Sequence, residues 1–112
     1  MSMLLLADGS QLALDKDGFL ADFNQWSEPA AQALAALENL TLSDAHWQVI
    51  HLQRQFYAEF QLAPAMRPLV KYIAQHAGSE LGNSLRLNQL FPGSPAKLSA
   101  RLAGLPKPNN CL

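Results

Sequence analysis

Cysteine is nearly absent: Cys111 is the one thiol in 112 residues, so no disulfide can form within the chain. That excludes a disulfide-stapled secreted domain and favours a reducing compartment, the cytoplasm. Charge is scarce too, at 15% of residues against a usual figure of about 25%. Long apolar runs are missing. Leu4-Leu5-Leu6 has no basic residues before it and stops at Asp8-Gly9, so it reads as neither a signal peptide nor a span, which needs about 20 apolar residues. Without a Gly-rich phosphate loop or a Gly-x-Ser-x-Gly sequence, nucleotide hydrolysis and serine chemistry have no foothold. His46 and His51 lie five apart, on different faces of a helix, and no His-Glu-x-x-His pattern brings in His76. The three are expected on helix surfaces or partly buried, with no metal site and no cofactor.

What is present points to one folded unit. A chain of this length, 49% hydrophobic, buries roughly two-thirds of its unfolded surface and needs no staple. The net charge of −1 hides a division along the chain. Residues 1–60 carry −6 in side-chain charge, with Lys16 and Arg54 as the bases. Residues 61–112 carry +5, from Arg67, Lys71, Arg86, Lys97, Arg101 and Lys107 against Glu80. This basic half suits an anionic partner, either RNA or an acidic protein face. The competing reading is solvated helix faces whose charges mix in three dimensions.

Signals for local structure follow the chain in order. Leu4 to Ala7 and Gln11 to Leu14 flank Asp8-Gly9, which predicts a hairpin, and Asp17-Gly18 predicts a second turn before Phe19-Leu20. Ser27-Glu28-Pro29 opens a helix through the alanine-rich stretch to Glu38, and Ser43 caps a second. In that second helix Trp47, Ile50, Tyr57 and Phe60 form a stripe, widened by Val49, Leu52 and Phe56, as expected of the central helix. Trp26 and Trp47 read as core anchors. After Pro64 a third helix spans about 65–77, ending at Gly78; Asn83 caps a fourth; Pro95 opens a fifth that ends at Gly104. The fold class is mainly α: about five helices with an N-terminal β-hairpin, a domain over 1–104 and a mobile C-terminal arm over 105–112.

Cys111 sits on that arm, after Pro106 and Pro108. A penultimate position beyond two prolines is poor for core packing, since termini are mobile unless tied down. Gly104 supplies a pivot, and the prolines bias the segment toward an extended strand. Seven steps from Gly104 to Cys111 allow a reach of at most ~25 Å. A thiol on such an arm can enter one partner's active site and then another's, which suits a carrier better than an enzyme with a fixed pocket. Sulfur would move by thiolate attack on the outer sulfur of a donor persulfide.

Several segments carry a family resemblance. Gly82-Asn83-Ser84, Leu90-Phe91-Pro92, Pro95-Ala96-Lys97 and the Gly104-Leu105-Pro106-Lys107-Pro108 stretch with Cys111 resemble the DsrC/TusE family, as do Trp26-Ser27-Glu28-Pro29, His46-Trp47 and Pro64-Ala65-Met66-Arg67. DsrC-type members, which work with dissimilatory sulfite reductase, carry a second cysteine where this chain has Ala100, so the departure favours the TusE type. The resemblance implies a sulfurtransferase of the carrier kind, with Cys111 bearing the persulfide. It also implies a TusBCD-like donor complex and an MnmA-like tRNA thiolase as acceptor, for 2-thiouridine synthesis at the wobble position. The basic residues would then meet an acidic donor face or a thiolase–tRNA complex. Two other classes remain open at this point: a nucleic-acid-binding regulator built on a helix-turn-helix, and a single-cysteine accessory protein of another sulfur pathway.

Overall fold

The computed structural model describes residues 2–108. Among them the chain forms strands β1 (Ser2–Leu5) and β2 (Gln11–Leu14) and a 3₁₀ turn at Phe23–Gln25. The helices are α1 (Glu28–Leu37), α2 (Asp44–Phe60), α3 (Met66–Ala77), α4 (Ser84–Leu90) and α5 (Pro95–Leu102). The five helices and the hairpin agree with the sequence reading.

The hairpin strands pair antiparallel with Leu5 opposite Gln11. Leu6 and Ser10 close the turn, Leu6 N–H donating to Ser10 O at 2.9 Å and Gly9 N–H to Leu6 O at 3.0 Å. Ala7 therefore belongs to a three-residue loop, and the first strand runs over 2–5 instead of the expected 4–7. Gly9 takes the left-handed conformation such a loop needs, at φ +89°. Asp8 accepts bonds from the Ser10 hydroxyl and N–H, the hydroxyl first, which hold its carboxyl below the usual range. The same chemistry recurs at once: Asp15 pairs with Phe19 around Lys16-Asp17-Gly18, returning Leu20 to bridge Leu14.

The caps lie where the sequence places them. Ser27 accepts from Ala30 N–H and Asn83 from Arg86 N–H. Ser43 accepts from His46 N–H while the His46 ring takes the N–H of Ser43, a reciprocal capping box. Because Nδ1 accepts there, Nε2 carries the proton and donates to Leu90 O at 2.8 Å, tying the start of α2 to the end of α4.

The centre of the fold is α5, which packs against each of the other four helices. Its short sequence hid this role. The expected centre, α2, buries Val49, Ile50 and Phe56 but leaves Phe60 49% exposed, since that residue ends the helix before Gln61 turns left-handed. Trp26 and Trp47 are half-buried at the edge of the core. Fully buried Gln53 bonds Ser99 Oγ at 2.8 Å, joining α2 to α5, and its Oε1 has no partner among the described residues. Gly82 lies against α3 so closely that a Cβ would overlap the Ala74 backbone.

Candidate functional site

Cys111 lies outside the described residues, with Asn109, Asn110 and Leu112. The site is therefore built from what holds the chain as it approaches that cysteine, namely the end of α5 and residues 103–108.

A helix end leaves four carbonyls unpaired, and here they are satisfied in two ways. The first is local. Gly104 sits at φ +73°, Leu105 N–H donates to Ala100 O at 3.0 Å, and Gly104 N–H donates to Arg101 O at 3.1 Å. This is a Schellman cap, and Leu105 and Ala100, at the two positions that usually make its apolar contact, are both fully buried. The second comes from residues distant in sequence. Trp26 Nε1 donates to Leu102 O at 2.8 Å, and Arg54 Nη1 donates to Ala103 O at 2.7 Å.

Arg54 is held between two rings. Its guanidinium carbon lies 4.3 Å from the Phe23 centroid and 4.1 Å from the Trp26 ring, within cation–π range of both. Burial pushes its pKa below the usual value, yet a guanidinium stays charged, and its charge faces the negative end of the α5 dipole. Trp26 also fills the space a side chain at 104 would need: a Cβ there would lie 2.5 Å from Trp26 Cδ1. Arg54 is one of only two bases in the acidic half, and nothing beside it in the sequence assigns it this partner. An isolated arginine beside an apolar helical stripe was the available signal.

Beyond the cap the chain stays on the body. Leu105 is fully buried, Pro106 and Lys107 are exposed, and Pro108 is buried. Lys107 Nζ lies 3.8 Å from Asp17 in the second Asp-Gly turn, and Pro106 and Lys107 border a hollow with Gln61, Leu62 and Ala63. The arm expected from residue 105 thus leaves the body no earlier than Pro108 in this conformation, and a swing about Gly104 requires the clamp to open.

The basic residues do not gather at one place. Arg67 and Lys71 are exposed one turn apart on α3, Arg86 is half-buried on α4, and Lys97 borders a hollow with Glu38, Pro92 and Ser94. Arg101 is engaged in the fold, donating to Gly18 O at 2.9 Å and pairing with Glu38 at 3.1 Å. Together with Lys107–Asp17, these pairs join the basic half to the acidic half, so part of the charge division mixes in three dimensions. His51 stacks on Trp47, its ring 3.5 Å from Glu28, and His76 packs against Tyr72. Among the described residues no helix is long and apolar enough to cross a membrane.

Comparison with known proteins places this geometry. The family profile described as DsrC like protein matches residues 6–112. The chain is 50% identical over 109 residues to the sulfurtransferase TusE homolog of Haemophilus influenzae, covering 97% of this chain and all of that one. It is 45% identical, with the same coverage, to the sulfurtransferase TusE of Escherichia coli. Among solved structures, Allochromatium vinosum DsrC superposes with a TM-score of 0.89 at 43% identity, covering 100% of both chains. The oxidized γ-subunit of the dissimilatory sulfite reductase (DsrC) from Archaeoglobus fulgidus superposes at 0.83 and 35% identity, covering 99% of this chain and 100% of that one. With a thiol-bearing segment clamped at its base and relatives of full length named for sulfur transfer, the chain belongs to the DsrC/TusE family of sulfurtransferases.

Proposed function

We propose that Cys111 carries sulfur as a persulfide, taking it from a TusBCD-like donor complex and passing it to an MnmA-like thiolase for 2-thiouridine synthesis at the tRNA wobble position. The observation that supports this most is the placement of the single thiol. Covalent geometry puts Cys111 at most ~11 Å beyond Pro108, the last described residue packed on the body. A partner that encloses the thiol therefore also meets the surface around Lys107 and Leu62.

The chemistry balances without an oxidant. The Cys111 thiolate attacks the outer sulfur of the donor persulfide, a new S–S bond forms, the donor's S–S bond breaks, and the donor cysteine leaves as a thiolate. The second transfer repeats the step with Cys111 as leaving group. An unperturbed thiol near pKa ~8.5 is a few per cent thiolate at neutral pH, which is enough for attack. A chain with one cysteine cannot discard the sulfur by closing its own disulfide, so the persulfide persists until an acceptor thiolate arrives. The reaction needs a reduced thiol, in keeping with a cytoplasmic setting.

Intact-mass spectrometry tests the reading. After incubation with a cysteine desulfurase, its relay proteins and free cysteine, the chain should gain one sulfur atom, located on Cys111 by fragmentation and removed by reductant. No gain in the presence of a competent donor complex would overturn it.

Arg67, Lys71, Arg86 and Lys97 are proposed to steer these partners, with Lys107 orienting the exit of the arm; Arg101 is set apart by its bonds within the fold. Arg86→Glu should weaken partner binding about 3- to 10-fold near 50 mM salt, and less near 300 mM, since screening shortens the reach of exposed charges. Equal affinity for variant and parent at both salt concentrations would count against a steering role.

A further inference from the structure

The geometry points to Arg54, seated between Phe23 and Trp26, as a positioning residue for sulfur transfer that fixes where the chain leaves the body toward Cys111. The inference rests on the reading of Cys111 as the carrier.

Two segments far apart in sequence converge on two consecutive peptide units of a third. Trp26 binds Leu102 O, Arg54 binds Ala103 O, and the next residue is the left-handed Gly104. Each bond fixes one carbonyl, and two fixed carbonyls in a row fix the direction of the segment that follows. The guanidinium is itself immobilised, packed against both rings and bonded through Nη1 to the carbonyl. A lysine lacks the planar group that fills this slot. The local Schellman bonds by themselves would stop the helix, so Arg54 is not needed to end α5. What it adds is a hold on residues 103–105 from outside the helix.

The consequence for transfer can be counted. From Pro108 the tether to Cys111 has three steps, and from Leu105 it has six. Leu105 stays held by its bond to Ala100 and by the core, and effective concentration falls roughly as the −3/2 power of tether length, so releasing residues 106–108 dilutes the thiol about 3-fold at a docked partner's site. The loss should be confined to reactions with a docked partner. A small alkylating agent has no such dependence on the tether.

The test compares parent, Arg54→Met, Arg54→Lys and Trp26→Phe. Three measurements are made on the full-length chain: sulfur uptake from the donor complex by intact mass, alkylation of Cys111 by iodoacetamide, and thermal unfolding. Trp26→Phe keeps most of the ring while removing the Nε1–H, so it serves if Arg54→Met does not fold. Uptake is expected to fall about 3-fold in Arg54→Met and Trp26→Phe, and to be only partly restored in Arg54→Lys. Alkylation rates should stay at the parental value. Folded variants that take up sulfur as fast as the parent would overturn the inference, as would a parallel loss of alkylation and uptake. Failure of the parent itself to take up sulfur would instead overturn the carrier reading.

Discussion

Deleting Cys111 and Leu112 is expected to reduce sulfur uptake from the donor complex to background, a loss of about 1,000-fold or more. Loss on this scale follows because the chain holds no second thiol to take over the attack. Stability should hardly change. The buried core is assembled from residues between Leu4 and Leu105, so the truncated chain keeps every core contact described above. Its unfolding free energy should stay within about 0.5 kcal/mol of the parent, the usual range for changes away from packed positions. Measuring uptake and chemical unfolding on one preparation separates the classes left open by the sequence. A nucleic-acid-binding regulator would keep its activity after this deletion; a carrier would lose it with an intact fold. Substantial uptake by the truncated chain would remove Cys111 from the mechanism altogether.

Gly104→Ala should be the most damaging small substitution at the arm base, at about 2–4 kcal/mol. Two penalties act together. A φ of +73° costs an alanine on the order of 1 kcal/mol, and the added methyl collides with Trp26. Trp26 cannot simply move aside, because its Nε1–H is bonded to Leu102 O and its ring supports Arg54. For a chain of this size the melting temperature should drop by roughly 10–20 °C. Gly104→Asn resolves the two penalties. Asparagine tolerates the left-handed region, so if the backbone alone mattered it would approach the parent; with the collision in force it should melt nearly as low as the alanine variant. A parental melting temperature for both would show that the tryptophan yields and that the clamp is soft.

Much of the architecture could be read from short-range chemistry. Ser27, Ser43 and Asn83 are caps because their side chains satisfy amides within three residues, and the two Asp-Gly turns are closed by bonds inside five residues. Such interactions leave their mark in neighbouring letters. Arg54, Gln53 and His46 act across the fold instead, reaching Ala103, Ser99 and Leu90 over more than forty residues. Nothing beside them in the sequence names those partners. The same limit explains Phe60 and α5. A helical stripe says which residues could face a core, and only the packing says where that core ends. The candidate site divides likewise: the cysteine and the proline-spaced approach to it stood out in the sequence, while the clamp at its base did not.

The central place of α5 has a consequence for how the molecule comes into being. The helix that touches each of the other four lies C-terminal to all of them, and Trp26 and Gly18 find their partners 76 and 83 residues further on. A chain halted before Pro95 still has α3 to pack on α2 and α1 to pack on β1, but lacks the helix that joins them. Long-range closure of this kind is entropically slow and waits for α5. Cys111 follows the end of α5 by nine residues, so a chain long enough to carry the thiol already holds the helix that closes the fold.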